Sequence, residues 1–126
     1  MSTAHPISVA LVDDSLPYRR VLSRYLADHG FKILCEASNG RELFVQLDEF
    51  GIVPDVCILD TNMPVMAGST TAKKLSSTYP WMGLIAHSHF DKKTRQMMLD
   101  SGASRCINKG EEPSAVADAV VALARA

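Results

Sequence analysis

The chain has 126 residues, 47% hydrophobic and 21% charged, with a formal net charge of -1. That length supports a single domain over residues 1–126 with a real core. The near-neutral balance argues against a broad nucleic-acid surface, and Met1 to Pro6, short and polar, reads as neither signal peptide nor membrane segment. Cys35, Cys57 and Cys106 are odd in number, far apart and set in apolar runs. That pattern reads as reduced, buried cysteines in a cytoplasmic protein rather than as a disulfide or metal site.

Ile7 to Val12 reads as a first buried strand, ending at Asp13-Asp14-Ser15. Any of those three suits a helix N-cap, and Pro17 suits an early helical position. The helix that follows carries Val21, Leu22, Tyr25 and Leu26 on one side and Arg19, Arg20 and Arg24 largely on the other, with Gly30 as its stop. Lys32 to Ala37 mixes apolar and charged residues, which suits an edge strand. Asn39-Gly40 turns the chain, and Leu43, Phe44, Leu47 and Phe50 repeat at helical spacing before Gly51 and Pro54.

Val56-Cys57-Ile58-Leu59 does not alternate, so it reads as a strand covered on both faces, and Asp60 stands where that strand leaves the core. A polar loop with Pro64 follows, then a helix from about Ser69 to Tyr79. Met82 to Ala86 reads as a fourth strand with His87-Ser88-His89 at its exit. Asp91 suits the cap of a helix through Met97, Met98 and Leu99, closed by Gly102. Arg105 to Asn108 reads as a fifth strand leading to Lys109, and Pro113 opens the last helix. Strands alternating with helices predict a parallel α/β sheet with helices on both faces.

In such a sheet ligands bind at the carboxyl ends of the strands. Successive exits there deliver Asp13 and Asp14, then Asp60, then His87 and Ser88, then Lys109. Carboxylates gathered together repel, and a hard cation such as Mg2+ relieves that repulsion while keeping positions for water or phosphate. A lysine suits a phosphate oxygen. Together these are the parts for moving a phosphoryl group onto a carboxylate.

The chain resembles a response regulator receiver domain over nearly its whole length. Leu11-Val12-Asp13-Asp14-Ser15 looks like the family's first-strand acid pair, and Glu36-Ala37-Ser38-Asn39-Gly40 its second turn. Leu59-Asp60-Thr61-Asn62-Met63-Pro64 with Gly68 looks like its phosphoacceptor loop, and Gly102-Ala103-Ser104 before Lys109 its approach to the fifth strand. The resemblance implies a flavodoxin-like, doubly wound sheet of five strands in the order 2-1-3-4-5. It implies Asp60 as the phosphoacceptor, served by a sensor histidine kinase or a phosphotransfer protein. Mg2+ would be held by Asp13, Asp14 and Asp60 and by the backbone carbonyl of Asn62, with Lys109 pairing first with Asp60 and then with the phosphoryl group. Such a domain is a switch more than an enzyme, speeding only its own modification and hydrolysis. It has no membrane role, and this segment binds no nucleic acid.

Two positions depart from the family pattern. Where the family carries Thr or Ser at the fourth-strand exit, counting back from Lys109 lands on His87, and its usual aromatic falls on Cys106. Three readings of His87 follow: a donor to the phosphoryl group, a packing residue, or a neighbour to a shifted register in which Ser88 serves instead. Asn62 and His89 stand where the family tunes dephosphorylation. The last helix, apolar nearly all round, suggests self-association or partner docking through the last two helices and the fifth strand. The altered relay keeps a second reading in view, a receiver-like binding module that is never phosphorylated. A phosphohydrolase with an aspartyl-phosphate intermediate fits less well, since such enzymes carry the nucleophile on the first strand with a second Asp two residues on.

Overall fold

A computed structural model describes residues 5–61 and 67–125. The elements run β1 (Ser8–Val12), α1 (Leu16–Asp28), β2 (Lys32–Ala37), α2 (Gly40–Phe50), β3 (Val56–Leu59), α3 (Gly68–Thr78), β4 (Gly83–Ser88), α4 (Lys92–Asp100), β5 (Arg105–Asn108) and α5 (Pro113–Ala124). The strands form one parallel sheet in the order β2-β1-β3-β4-β5. This is the doubly wound architecture the alternation predicts, and β2, the strand of mixed composition, lies at an edge.

The pleat sorts the strand residues into two cores. Val9, Leu11, Val56, Ile58, Ile85 and Ile107 pack under α1 and α5, with Leu22, Leu26, Val116 and Val120. Ala10, Val12, Cys57, Leu59, Leu84 and Ala86 pack under α2, α3 and α4, with Leu43, Leu47, Leu75 and Met98. The central strands need apolar side chains on both faces, which is why their sequences do not alternate. Cys35 and Cys57 are buried free thiols whose pKa is pushed up by burial, to about 11 for Cys35, and Cys106 is a half-buried free thiol.

Local signals start the helices. Ser15 caps α1, its side chain accepting from the Tyr18 N–H, and Asn39 caps α2 by accepting from the Glu42 N–H. Asp91 and Thr94 form a reciprocal capping box on α4. Gly51 ends α2 in the left-handed region at φ 64°. The start of α3 has no side-chain cap; it rests on Gly68, whose backbone lies so close to Thr61 that an added Cβ would collide with the Thr61 main chain. The Gly68 N–H donates to the Thr61 carbonyl at 3.3 Å, closing the loop after Asp60.

The structure differs from the sequence expectation in three places. β4 runs on through Ser88, so His87 and Ser88 are strand residues with fixed facing rather than exit residues. The strand continues because β5 pairs with it up to Asn108 and both of its faces are covered. On α1, Leu22 and Leu26 carry the packing while Val21 is 67% exposed. Arg19 turns inward instead: its guanidinium donates to the Asp13 carbonyl at 2.6 Å and to Glu36 at 3.1 Å, tying β1 to β2. Finally, α5 turns Asp118 and Ala122 outward, and the large apolar side chain left exposed beside it is Leu99 of α4.

Candidate functional site

The parallel ladders deliver the polar residues to one edge. The Asp13 N–H donates to the Ala37 carbonyl at 3.0 Å, the Asp60 N–H to Val12 at 2.8 Å, and the Lys109 N–H to Ser88 at 3.0 Å. Each of these residues follows the last residue of its strand and is still held by the neighbouring strand. The site is therefore built on rigid backbone.

Asp13, Asp14 and Asp60 each offer a carboxylate oxygen, and the three lie within 4.8 Å of one another. Asp13 and Asp60 are buried, while Asp14 is exposed. Lys109 bridges the buried pair, with its Nζ 2.7 Å from Asp13 and 3.4 Å from Asp60. Asp13 also accepts from the Ser15 N–H at 2.8 Å. Burial raises the Asp13 pKa against the opposing pull of Lys109 and of the Ser15 N–H. For Lys109, burial alone would lower the pKa, but the hydrogen bond to Asp13 and the charges of Asp60 and Asp13 outweigh it and keep the ammonium protonated. An all-oxygen, acid-rich cluster of this kind, open on the Asp14 side, is a donor set that fits a hard divalent cation.

His87 and Ser88 point to opposite faces, as successive strand residues must. His87 is buried on the α1 side, its Nε2 3.3 Å from the Tyr18 hydroxyl. Burial, reinforced by the nearby Lys109 charge, pushes its pKa down to about 4, so the ring is neutral around pH 7. Ser88 faces the α3 and α4 side, where with His89 it lines a cleft formed by Thr61, Gly68, Thr94 and Met97. Cys106 sits on the same side of the sheet, with its Sγ 3.7 Å from the Arg95 carbonyl. The structure thus brings Asp13, Asp14, Asp60 and Lys109 together. Ser88 and His89 line the adjoining cleft, and His87 lies on the other face of the sheet against Tyr18. Asn62 lies outside the described residues.

Sequence reasoning missed Tyr18, whose ring lies over the Lys109 ammonium at 4.4 Å. Its position in the first turn after the Ser15 cap was the available signal, because that turn begins beside Asp13.

Comparison with known proteins identifies the family. The family described as response regulator receiver domain matches residues 9–121. The chemotaxis protein CheY of Thermotoga maritima is 29% identical, over 89% of this chain and 92% of its own length. A protein-glutamate methylesterase/protein-glutamine glutaminase of Hahella chejuensis is 30% identical over 86% of this chain, which spans only 31% of that relative. Among solved structures, a chain of the CheX-CheY-BeF3-Mg+2 complex from Borrelia burgdorferi superposes with TM-score 0.87 at 25% identity, covering 96% of this chain and 91% of that one. A receiver domain protein from Clostridium thermocellum, at 21% identity and TM-score 0.84 with 94% of each chain covered, shares the fold. With a match running from the first strand into the last helix, this chain belongs to the response regulator receiver domain family of two-component signalling.

Proposed function

We propose that Asp60 accepts a phosphoryl group from a sensor histidine kinase or a phosphotransfer protein, and that the modified domain changes its partner contacts. The observation that carries this reading is the Lys109 ammonium lying between Asp13 and Asp60, with Asp14 completing an oxygen cluster within 4.8 Å. A carboxylate oxygen of Asp60 attacks phosphorus. The new O–P bond forms as the P–N bond of the donor's phosphohistidine breaks, and the imidazole leaves with the bonding pair and takes up a proton. Asp13, Asp14 and Asp60 would hold Mg2+, joined by the backbone carbonyl of Asn62; the bound ion supplies charge neutralisation at the phosphoryl oxygens. Lys109 pairs with Asp60 beforehand and with a phosphoryl oxygen afterwards. Water later attacks the phosphorus of the acyl phosphate, the bond between phosphorus and the Asp60 oxygen breaks, inorganic phosphate leaves and the carboxylate is restored.

Of the two fourth-strand candidates, Ser88 is assigned the hydroxyl role. It has the donor, it faces the α3–α4 cleft, and it lies on the same face as Cys106, whereas His87 is neutral and occupied with Tyr18. His89, exposed at the rim of that cleft, is assigned to tuning hydrolysis. Partner docking or self-association is assigned to α4, β5 and α5, where Leu99 is exposed beside Cys106 and Asp118.

The test is incubation with acetyl phosphate and Mg2+, followed by intact mass. Wild type gains one phosphoryl group and Asp60→Asn gains none. No gain in wild type, even with a histidine kinase present, together with unchanged partner binding by Asp60→Asn, would favour the second reading: a receiver-like binding module that is never phosphorylated.

A further inference from the structure

Tyr18 stands in the first turn of α1, where its N–H donates to Ser15 Oγ at 3.3 Å. Its side chain reaches across the sheet end to two groups at once. The ring face covers Lys109, with Nζ 4.4 Å from the ring centroid. The hydroxyl meets His87 Nε2 at 3.3 Å, and the two rings lie tilted by 51° with centroids 5.6 Å apart. Lys109 therefore has contacts from three directions: Asp13 at 2.7 Å, Asp60 at 3.4 Å and the aromatic face.

A lysine stem has four rotatable bonds, and an ammonium with only carboxylate partners is free to slide between them. An aromatic face attracts a cation through its quadrupole and blocks water on that side. The ring is useful only if it stays over the ammonium, and the buried His87 provides the anchor. Burial keeps that histidine neutral around pH 7, so it orients the phenol without adding a charge to repel Lys109.

We propose that Tyr18, anchored by His87, is a positioning residue that holds the Lys109 ammonium between Asp13 and Asp60. The proposal rests on the phosphoacceptor reading of Asp60 for its consequence, but not for its geometry. It also gives His87 a role other than direct contact with the phosphoryl group.

The test uses the full chain, with Tyr18→Leu and Tyr18→Phe as variants and Tyr18→Met as a second apolar replacement if Tyr18→Leu folds poorly by circular dichroism. One readout is labelling of Lys109 by an amine-reactive ester, followed by peptide mass. The other is the rate of phosphorylation by acetyl phosphate with Mg2+. Loss of the ring should raise Lys109 labelling and slow phosphorylation, each by about three- to tenfold. Tyr18→Phe, which keeps the ring but loses the hydroxyl that meets His87, should fall between wild type and Tyr18→Leu in both readouts. Wild-type labelling of Lys109 in Tyr18→Leu or Tyr18→Met would overturn the proposal. If wild type takes up no phosphoryl group, the reading of Asp60 falls, while the labelling comparison still decides the role of Tyr18.

Discussion

Lys109→Met removes the ammonium from a site that still holds its acids. At an effective dielectric of about 20, the attractions of Lys109 for Asp13 at 2.7 Å and for Asp60 at 3.4 Å amount to roughly 6 and 5 kcal/mol. The repulsion left between two carboxylate oxygens no more than 4.8 Å apart is at least about 3 kcal/mol. These gross terms are offset in the folded protein by the desolvation of all three groups. Breaking a fully buried pair costs about 3–5 kcal/mol net, and this site opens to solvent at Asp14, so a loss of about 2–3 kcal/mol is expected in metal-free buffer. For a domain of this size that lowers Tm by about 10 °C. Added Mg2+ should then raise Tm more in Lys109→Met than in wild type, because the ion replaces the positive charge that Lys109 sets between Asp13 and Asp60. The assay is thermal unfolding followed by circular dichroism, with chelator and with millimolar Mg2+. A metal-free Tm within 2 °C of wild type, or a smaller Mg2+ shift in the variant, would refute the reasoning.

Four further outcomes follow from the geometry. His87 titrates at about 4 in the folded state against an ordinary value near 6.5, so its contribution to stability is complete above about pH 6.5 and is lost as pH falls toward 4. At about 1.4 kcal/mol for each pH unit, wild type should lose about 2–3 kcal/mol more than His87→Leu between pH 7 and 4.5, read from urea unfolding; equal losses contradict the burial argument. For the same reason, wild type and His87→Ala should share one pH profile of phosphoryl lifetime from pH 6 to 8. Gly68→Ala forces the Thr61 main chain to move and should both lower Tm by several degrees and slow phosphorylation, whereas a variant matching wild type in both would show the close approach to be unimportant. If α4 and α5 form a homodimer face, sedimentation with beryllofluoride and Mg2+ should show dimer that Leu99→Asp abolishes; monomer throughout argues for a different partner.

Much of this architecture is legible in the residues because the physical demands are local. A central strand must be apolar on both faces, so Val56 to Leu59 announces both the strand and the polar exit at Asp60. The strand exits then place Asp13, Asp14, Asp60 and Lys109 at one edge. Side-chain facing was harder to read. A histidine and a serine after an apolar run look like the end of a strand, and only pairing with β5 shows that β4 continues and sends His87 and Ser88 to opposite cores. Val21 and Arg19 exchange their expected roles on α1 because a polar network linking Asp13 and Glu36 draws Arg19 inward, which no apolar periodicity records. Tyr18 escaped for a related reason: its value lies in contacts with β4 and with Lys109, both distant in sequence.

The central claim is that Asp60 is the phosphoacceptor. An acyl phosphate on an aspartate is reduced by borohydride to homoserine, which marks the modified position in a peptide mass spectrum. After treatment with acetyl phosphate and Mg2+, the account predicts homoserine at position 60 and aspartate at positions 13 and 14. Homoserine at either of those positions, or at none of the three, would contradict it.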